Sequence, residues 1–326
     1  MEEQVGGGVD PYEWSPRVVV VGGGVSGYSV ARRLHADLPR ARIDLYDKNE
    51  WHHYSACGIT FALEGMYPMD DVVLHTPEEY DRMGIDVHEG VEVTAVDLAD
   101  RRVQLSDGGK ARYDVLVLAT GRRAFKPPVP GIELPGVHTL SNLGDARALA
   151  EAIEGAERAV VVGGGAIGLE TAVALKARDL EVTVVEMLPH LLPQMLDAHM
   201  GEVVREHVEA MGIRVLTGVP VGMIEAGDDG RVSGVDVLGE TIIADLVVVS
   251  TGVRPEVGLA EAAGIDLGTT GGYATDGHMR VLSDGEPVER VYAVGDGAEV
   301  GHALLGRPTL SPLASTALYQ ARTVSK

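Results

Sequence analysis

Two stretches of the chain, 141 residues apart, repeat one grammar, and no other feature constrains the fold as much. Each opens with a short apolar run rich in valine, at 18–21 and 159–162, with no polar alternation. A strand reads this way when both faces of a parallel sheet are covered. Each run feeds directly into a glycine loop, Gly22-Gly23-Gly24-Val25-Ser26-Gly27 and Gly163-Gly164-Gly165-Ala166-Ile167-Gly168. A helical stretch follows, to Leu34 in one copy and to about Ala177 in the other. A second strand then spans 41–46 or 181–185 and ends in an acid: Asp47, with Lys48 beside it, or Glu186. This is a duplicated strand–helix–strand unit, not a short-period repeat.

A G-x-G-x-x-G turn brings backbone N–H groups and a helix N-terminus against a pyrophosphate, where side chains would block the approach. One match is weak, because glycine-rich turns are common. Here both matches follow a buried strand, open a helix and precede an acid, 20 residues after Gly27 and 18 after Gly168. Those acids suit the ribose hydroxyls of two adenosines. Glu186 would also repel a 2′-phosphate, and Met187, Leu188 and Pro189 follow it in place of an arginine. NADH is therefore expected over NADPH at the second loop.

Two further buried runs end in glycine turns: 114–118 into Ala119-Thr120-Gly121, and 245–250 into Thr251-Gly252. They bracket the second unit and read as paired crossings between domains. The expected fold is α/β, with two Rossmann-like dinucleotide-binding domains, the second inserted into the first. The first spans 17–121 and 252–326, the second spans 122–251, and 1–16 forms a flexible arm. A strand ending in Gly295-Asp296 adds an acceptor for a polyol. A helix beginning near Leu313-Ala314 directs its positive end at any anion in the first site.

Composition narrows the function. The formal net charge of −22 argues against nucleic acid and anionic membrane surfaces as partners. The single cysteine, Cys57, excludes an intrachain disulfide and a multi-cysteine zinc site and points to a reducing, cytosolic setting; no metal site is expected. The first residues have no basic start and no apolar run, so they do not read as a signal peptide, and no stretch offers 18 uninterrupted apolar residues for a membrane span; the protein is expected to be cytoplasmic.

In this order and spacing the motifs resemble the FAD-dependent pyridine nucleotide–disulfide oxidoreductases. They are most similar to the single-cysteine branch of coenzyme A-disulfide reductases, NADH oxidases and NADH peroxidases. The segments that carry the resemblance are Gly22 to Gly27, Asp47, Ser55-Ala56-Cys57-Gly58, Ala119-Thr120-Gly121, Gly163 to Glu170, Thr251 to Pro255 and Gly295-Asp296. The resemblance implies FAD at the first site, NAD(P)H at the second, and the flavin between nicotinamide and Cys57. It also implies Glu170 near flavin and nicotinamide, and Arg32 and Arg33 as receivers of coenzyme A phosphates. For Glu170, Arg32 and Arg33 the plain alternative is a solvated helix face, and for Cys57 a small buried hydrophobe.

Cys57 precedes a probable helix at 59–65, a placement that favours the thiolate. His52 and His53 lie close in sequence and could assist the thiolate if protonated; the plain reading is that they are exposed loop residues. With no second cysteine, Cys57 must cycle as a mixed disulfide, persulfide or sulfenic acid. The related peroxidases and water-forming oxidases carry a histidine where this chain has Val25, which favours a small disulfide or persulfide over peroxide. The expected activity is therefore electron transfer from NADH through flavin and Cys57 to such an acceptor, with coenzyme A-type thiols favoured. The alternatives are an NADH oxidase using O2, an electron-transfer reductase for a small iron protein, and a non-catalytic redox or nucleotide sensor. Two departures stand out. An arginine that supports FAD in relatives is absent around Leu140-Ser141-Asn142-Leu143, and the chain ends where the family continues into a dimer-interface domain. A homodimer is therefore allowed but not expected to form in the family's manner.

Overall fold

A computed structural model describes residues 14–50 and 53–325. The chain divides into two compact units. One comprises residues up to Tyr54, Val73–Arg122 and from Pro255 onward; the other comprises Ser55–Val72 and Arg123–Arg254.

The first unit is built on a six-stranded sheet. Its order is Arg280–Ser283, Glu286–Ala293, Val115–Leu118, Arg17–Val21, Arg42–Asp47, Ile85–Glu89. All neighbours pair in parallel except the antiparallel edge strand Arg280–Ser283. Val18, Val19 and Val20 have no solvent exposure, as their unbroken valine run predicts for a central strand. Strand Arg17–Val21 has successive partners on opposite sides. Its carboxyl end is thus a topological switch point, the place where open α/β sheets bind ligands. The first glycine loop leaves from that end.

The second unit repeats the plan with five parallel strands in the order Arg214–Thr217, Glu181–Glu186, Arg158–Val162, Leu246–Val249, Val137–Thr139. The duplication extends beyond the glycine loops. Each unit carries a three-stranded antiparallel sheet before its crossing strand: Val93–Asp97, Arg102–Leu105 and Lys110–Arg112 in one, Val221–Ala226, Val232–Val237 and Glu240–Ile243 in the other. An aspartate at the head of each crossing strand pins the first strand. The Asp114 carboxylate accepts the Arg17 amide at 2.8 Å, and the Asp245 carboxylate accepts the Arg158 amide at 2.9 Å.

Segment Ser55–Val72, which carries Cys57, was placed by sequence with the first domain; by its contacts it packs with the second unit. Ile59, Ala62 and Leu63 are buried, and their helix, Ile59–Glu64, lies on helix Ala166–Ala177. Arg178 donates to the Leu63 carbonyl at 3.3 Å, and Arg147 pairs with Asp70. The expected arm at 1–16 lies outside the described residues through 13. Residues 14–16 are tied down: Ser15 Oγ donates to the Arg40 carbonyl at 2.8 Å, the Pro16 carbonyl accepts the Arg42 amide at 2.9 Å, and Arg290 sits over the Trp14 ring.

Candidate functional site

At the first loop, three glycines do three different jobs. Gly22 has φ +100°, and a Cβ there would lie 2.3 Å from the Ala119 carbonyl oxygen. A Cβ on Gly27 would lie 1.9 Å from the Gly22 carbonyl oxygen, so Gly27 lets the helix Val25–Asp37 start against the strand. Gly24 meets nothing within 4 Å. Its Cβ would occupy only open space, the space a pyrophosphate needs. The helix start carries no side-chain cap, so its amides are available to an anion.

Asp47 is buried at the end of its strand, and it works on the loop itself. Its Oδ2 accepts the Gly23 amide at 2.7 Å, and its Oδ1 accepts the amide and side-chain N–H of Asn49 at 2.8 and 2.9 Å. A carboxylate offers about four acceptor positions, so capacity for a ribose hydroxyl remains. Lys48 is exposed, with Nζ 4.0 Å from the Glu256 carboxylate.

The second loop matches almost atom for atom. Gly163 has φ +112°, with its Cβ position 2.3 Å from the Ser250 carbonyl oxygen; that of Gly168 is 2.1 Å from the Gly163 carbonyl oxygen. Gly165, like Gly24, meets nothing within 4 Å. Glu186 is buried; its Oε2 accepts the Gly164 amide at 2.6 Å and its Oε1 the Leu188 amide at 2.7 Å. Ile167 is half-buried, and Glu170 is exposed on the same helix. Gly252 has φ +109° and is likewise open, and its carbonyl accepts the Phe125 amide at 2.9 Å.

Three more segments line the first site. Ala119 donates to the Val21 carbonyl at 2.8 Å, Thr120 Oγ1 donates to the Glu256 carbonyl at 2.5 Å, and Gly121 has φ +70°. The strand expected to run to Asp296 ends at Ala293, and Gly295–Gly297 form a 3-10 turn instead. The φ of +79° at Gly295 is what turns the chain there. Asp296 is half-buried, with Oδ2 3.1 Å from Arg122 Nε. Burial pushes its carboxyl above the usual range, and Arg122 opposes that rise. The last helix runs Ala314–Val324, with Leu313 at its cap position and both Leu313 and Ala314 exposed. No side chain caps it, so its first amides face outward.

Cys57 is exposed, in the 3-10 turn Ala56–Gly58 that runs into helix Ile59–Glu64. Ser55 Oγ accepts the Gly58 amide at 3.2 Å, and Tyr67 donates to the Gly58 carbonyl at 2.7 Å. The turn is therefore held from both sides while the thiol remains open. His52 lies outside the described residues. His53 is buried, not an exposed loop residue, because its ring stacks on Tyr28 at 4.1 Å and faces His75 at 5.2 Å. Arg32 and Arg33 are both exposed; Arg33 Nε donates to Ser325 Oγ at 2.8 Å and lies 3.8 Å from Asp37. Asn49, Arg122 and Glu256 were not among the residues expected from sequence. Only Arg122 had a usable sign, as the residue directly after the Ala119-Thr120-Gly121 turn.

The residues present fit two dinucleotides, since each loop pairs an open central glycine with a buried carboxylate at the next strand end. Residues 16–321 match the family described as pyridine nucleotide-disulphide oxidoreductase. An NADH oxidase of Methanocaldococcus jannaschii is 36% identical over 318 residues, covering 95% of this chain and 69% of the relative. A CoA-dependent NAD(P)H sulfur oxidoreductase of Pyrococcus abyssi is 35% identical, covering 91% of this chain and 66% of the relative. The solved NAD-dependent persulfide reductase from A. fulgidus superposes with a TM-score of 0.89 at 34% identity. That match covers 95% of this chain but only 58% of the solved one, so the chain spans less than two thirds of it. No helix among the described residues is long and apolar enough to cross a membrane.

Proposed function

The chain belongs to the pyridine nucleotide-disulphide oxidoreductases, and from that premise we propose that it is a cytoplasmic FAD-dependent oxidoreductase that uses NADH to reduce a small disulfide or persulfide through Cys57. The observation that carries this reading is an exposed thiol, the chain's single cysteine, in a chain with two dinucleotide loops of matching geometry.

The first loop, with Asp47, the Ala119-Thr120-Gly121 turn, Asp296 and the helix start at Leu313-Ala314, would hold FAD. The second loop, with Glu186, Ile167 and Gly252, would hold NADH. FAD, when bound, supplies the two-electron chemistry that links a nicotinamide hydride to a sulfur acceptor. Gly24 and Gly165 leave room for the pyrophosphates, and the uncapped helix starts balance their charge. The free amides at 314–316 suit an anionic edge of a flavin ring. Glu186 disfavours a 2′-phosphate, because its carboxylate is held toward the loop by two amides and cannot readily turn away.

Cys57 acts as the nucleophile. Its thiolate attacks one sulfur of the acceptor, an S–S bond forms to Cys57, and the other half leaves as a thiolate that takes a proton. Val25 offers no proton donor in the first loop, which suits sulfur acceptors better than peroxide. Arg32, which among the described residues has none of the ties that engage Arg33, is the better candidate to meet an anionic thiol such as coenzyme A. On this reading the unit that carries the first loop is the FAD-binding domain, and the unit that carries the second loop, with Ser55–Val72, is the NADH-binding domain. Glu170, exposed on the second loop's helix, is proposed as a polar neighbour of the bound nicotinamide.

Replacement of Cys57 by serine tests the reading. NADH should still bleach the flavin in Cys57→Ser. NADH-dependent reduction of coenzyme A disulfide or polysulfide should fall by orders of magnitude, as loss of a covalent catalyst requires. NADH consumption dependent on O2 should persist. Disulfide reduction that survives in Cys57→Ser makes the cysteine structural and favours the NADH oxidase reading.

A further inference from the structure

A side chain of the last helix holds the turn that lies against the first glycine loop. Gln320, on helix Ala314–Val324, is only 5% exposed. Its Oε1 accepts the Gly295 amide at 2.6 Å. A backbone N–H can only donate, so the oxygen must be the atom facing Gly295, and the orientation of the side-chain amide is fixed. Nε2 then points away; it is buried and meets no acceptor among the described residues.

Burying an amide with half its capacity unpaired disfavours the fold relative to an apolar side chain of similar length. Filling space there would need only methionine. What the amide adds is one bond, and that bond falls at a critical place. Gly295 takes φ +79°, and a Cβ on it would lie 2.2 Å from Ser26 Oγ of the first glycine loop. The turn therefore rests directly on the loop, and its next residue is Asp296.

We propose that Gln320 is a positioning residue for the dinucleotide held at the first glycine loop: its Oε1 clamps the Gly295 amide and so fixes the turn that closes on Ser26 and presents Asp296. The inference deepens the flavin reading above and rests on it. It assigns Gln320 a role that costs the empty fold stability and benefits the bound state, as functional residues often do.

Two variants separate this role from simple packing. Gln320→Met removes the acceptor and keeps the bulk, whereas Gln320→Glu keeps an acceptor for Gly295. In flavin-free protein, hydrogen–deuterium exchange of the peptide spanning 291–297 should accelerate in Gln320→Met and remain close to wild type in Gln320→Glu. The melting temperature of flavin-free Gln320→Met should stay close to that of wild type, because removal of the unpaired Nε2 offsets the Gly295 N–H left without its acceptor. Its FAD dissociation constant should rise roughly tenfold, the scale of one lost hydrogen bond that preorganises a site. Gln320→Glu should recover most of that loss. Equal FAD affinity in wild type and Gln320→Met overturns this inference alone, as does an affinity loss matched by a fall in the flavin-free melting temperature. Wild-type protein that takes up no flavin overturns the flavin reading and this inference together.

Discussion

At Gly22 and Gly163 the backbone takes nearly the same positive φ, and at Gly27 and Gly168 a Cβ would strike the same carbonyl. The copies part company in what surrounds them. The first loop has the Gly295 turn lying on Ser26, held there by Gln320, and its strand-end acid is engaged by Asn49. The second loop has Leu191 against Gly164 and a glutamate that accepts two backbone amides. The first site draws on segments from both ends of the sequence, 22–47 and 119–122 with 295–320; the second joins two segments of one unit, 163–191 and 250–252. That difference suits a group that stays bound at the first loop and a substrate that comes and goes at the second.

The central glycines offer the strongest way to break this comparison. Neither Gly24 nor Gly165 has an atom within 4 Å of its Cβ position, and neither has positive φ, so valine should fit the empty protein at either site. Gly24→Val should raise the FAD dissociation constant at least about a hundredfold, roughly 2.7 kcal/mol, with little change in flavin-free stability. Gly165→Val should keep its FAD and instead raise KM for NADH. Stoichiometric flavin in purified Gly24→Val would sink the assignment of the first loop; flavin loss in Gly165→Val would mean the loops are not divided in this way.

The rear glycines should behave alike, and that sharpens the comparison. A Cβ at Gly27 or Gly168 meets backbone oxygen at 1.9 or 2.1 Å, which no side-chain motion relieves. Gly27→Ala and Gly168→Ala should each destabilise their own unit by about 1–3 kcal/mol, the scale of overpacking. Denaturant titration of flavin-free protein would show this, and an unchanged midpoint for either variant would contradict the packing described.

What the sequence disclosed follows from which signals are local. The valine runs, the glycine spacings and the strand-end acids lie within 30 residues of each other, and the structure forms them within a residue or two of their expected bounds. The paired antiparallel sheets were not foreseen. Their strands are short and half-exposed, and the two copies no longer share a residue pattern. Gln320 left no trace because its partner lies 25 residues away across a turn whose geometry depends on φ at Gly295. The packing of Ser55–Val72 with the second unit rests on Ile59 and Leu63 meeting a helix a hundred residues later. An apolar helix face in sequence does not say which surface it will cover.

Nucleotide choice gives a smaller effect. Glu186 should make kcat/KM favour NADH over NADPH by at least about tenfold, roughly 1.4 kcal/mol. Glu186→Ala should narrow that ratio and weaken both nucleotides, because the same carboxylate anchors the Gly164 amide. Asp47→Ala at the equivalent place should affect flavin retention and leave the NADH to NADPH ratio alone. A ratio moved by Asp47→Ala would contradict the division of labour between the copies.

The smallest expected difference lies at the opposite ends of the strands. Asp114 and Asp245 both bind the amide of the residue that opens the first strand, but among the described residues only Asp245 also meets an arginine side chain, with Arg158 Nη2 at 3.0 Å. Partial burial alone would raise the Asp245 carboxyl. The Arg158 side chain, the Arg158 amide and the Glu157 amide outweigh burial and hold it below the usual range. A carboxyl lowered by folding adds stability that is present above its unfolded value, near 3.9, and is lost as pH falls through the folded value. Both side chains are about one-third exposed, so solvent screening keeps the contribution of the pair small. Asp245→Asn should therefore lower the melting temperature at pH 7 and lower it by less at pH 3, where the wild type has begun to lose the same contribution. Asp114→Asn should cost less at pH 7, since no arginine side chain pairs with that carboxylate among its hydrogen bonds and ion pairs. Identical losses for Asp245→Asn at both pH values would show that the arginine pair adds nothing beyond the backbone clamp shared by the two copies.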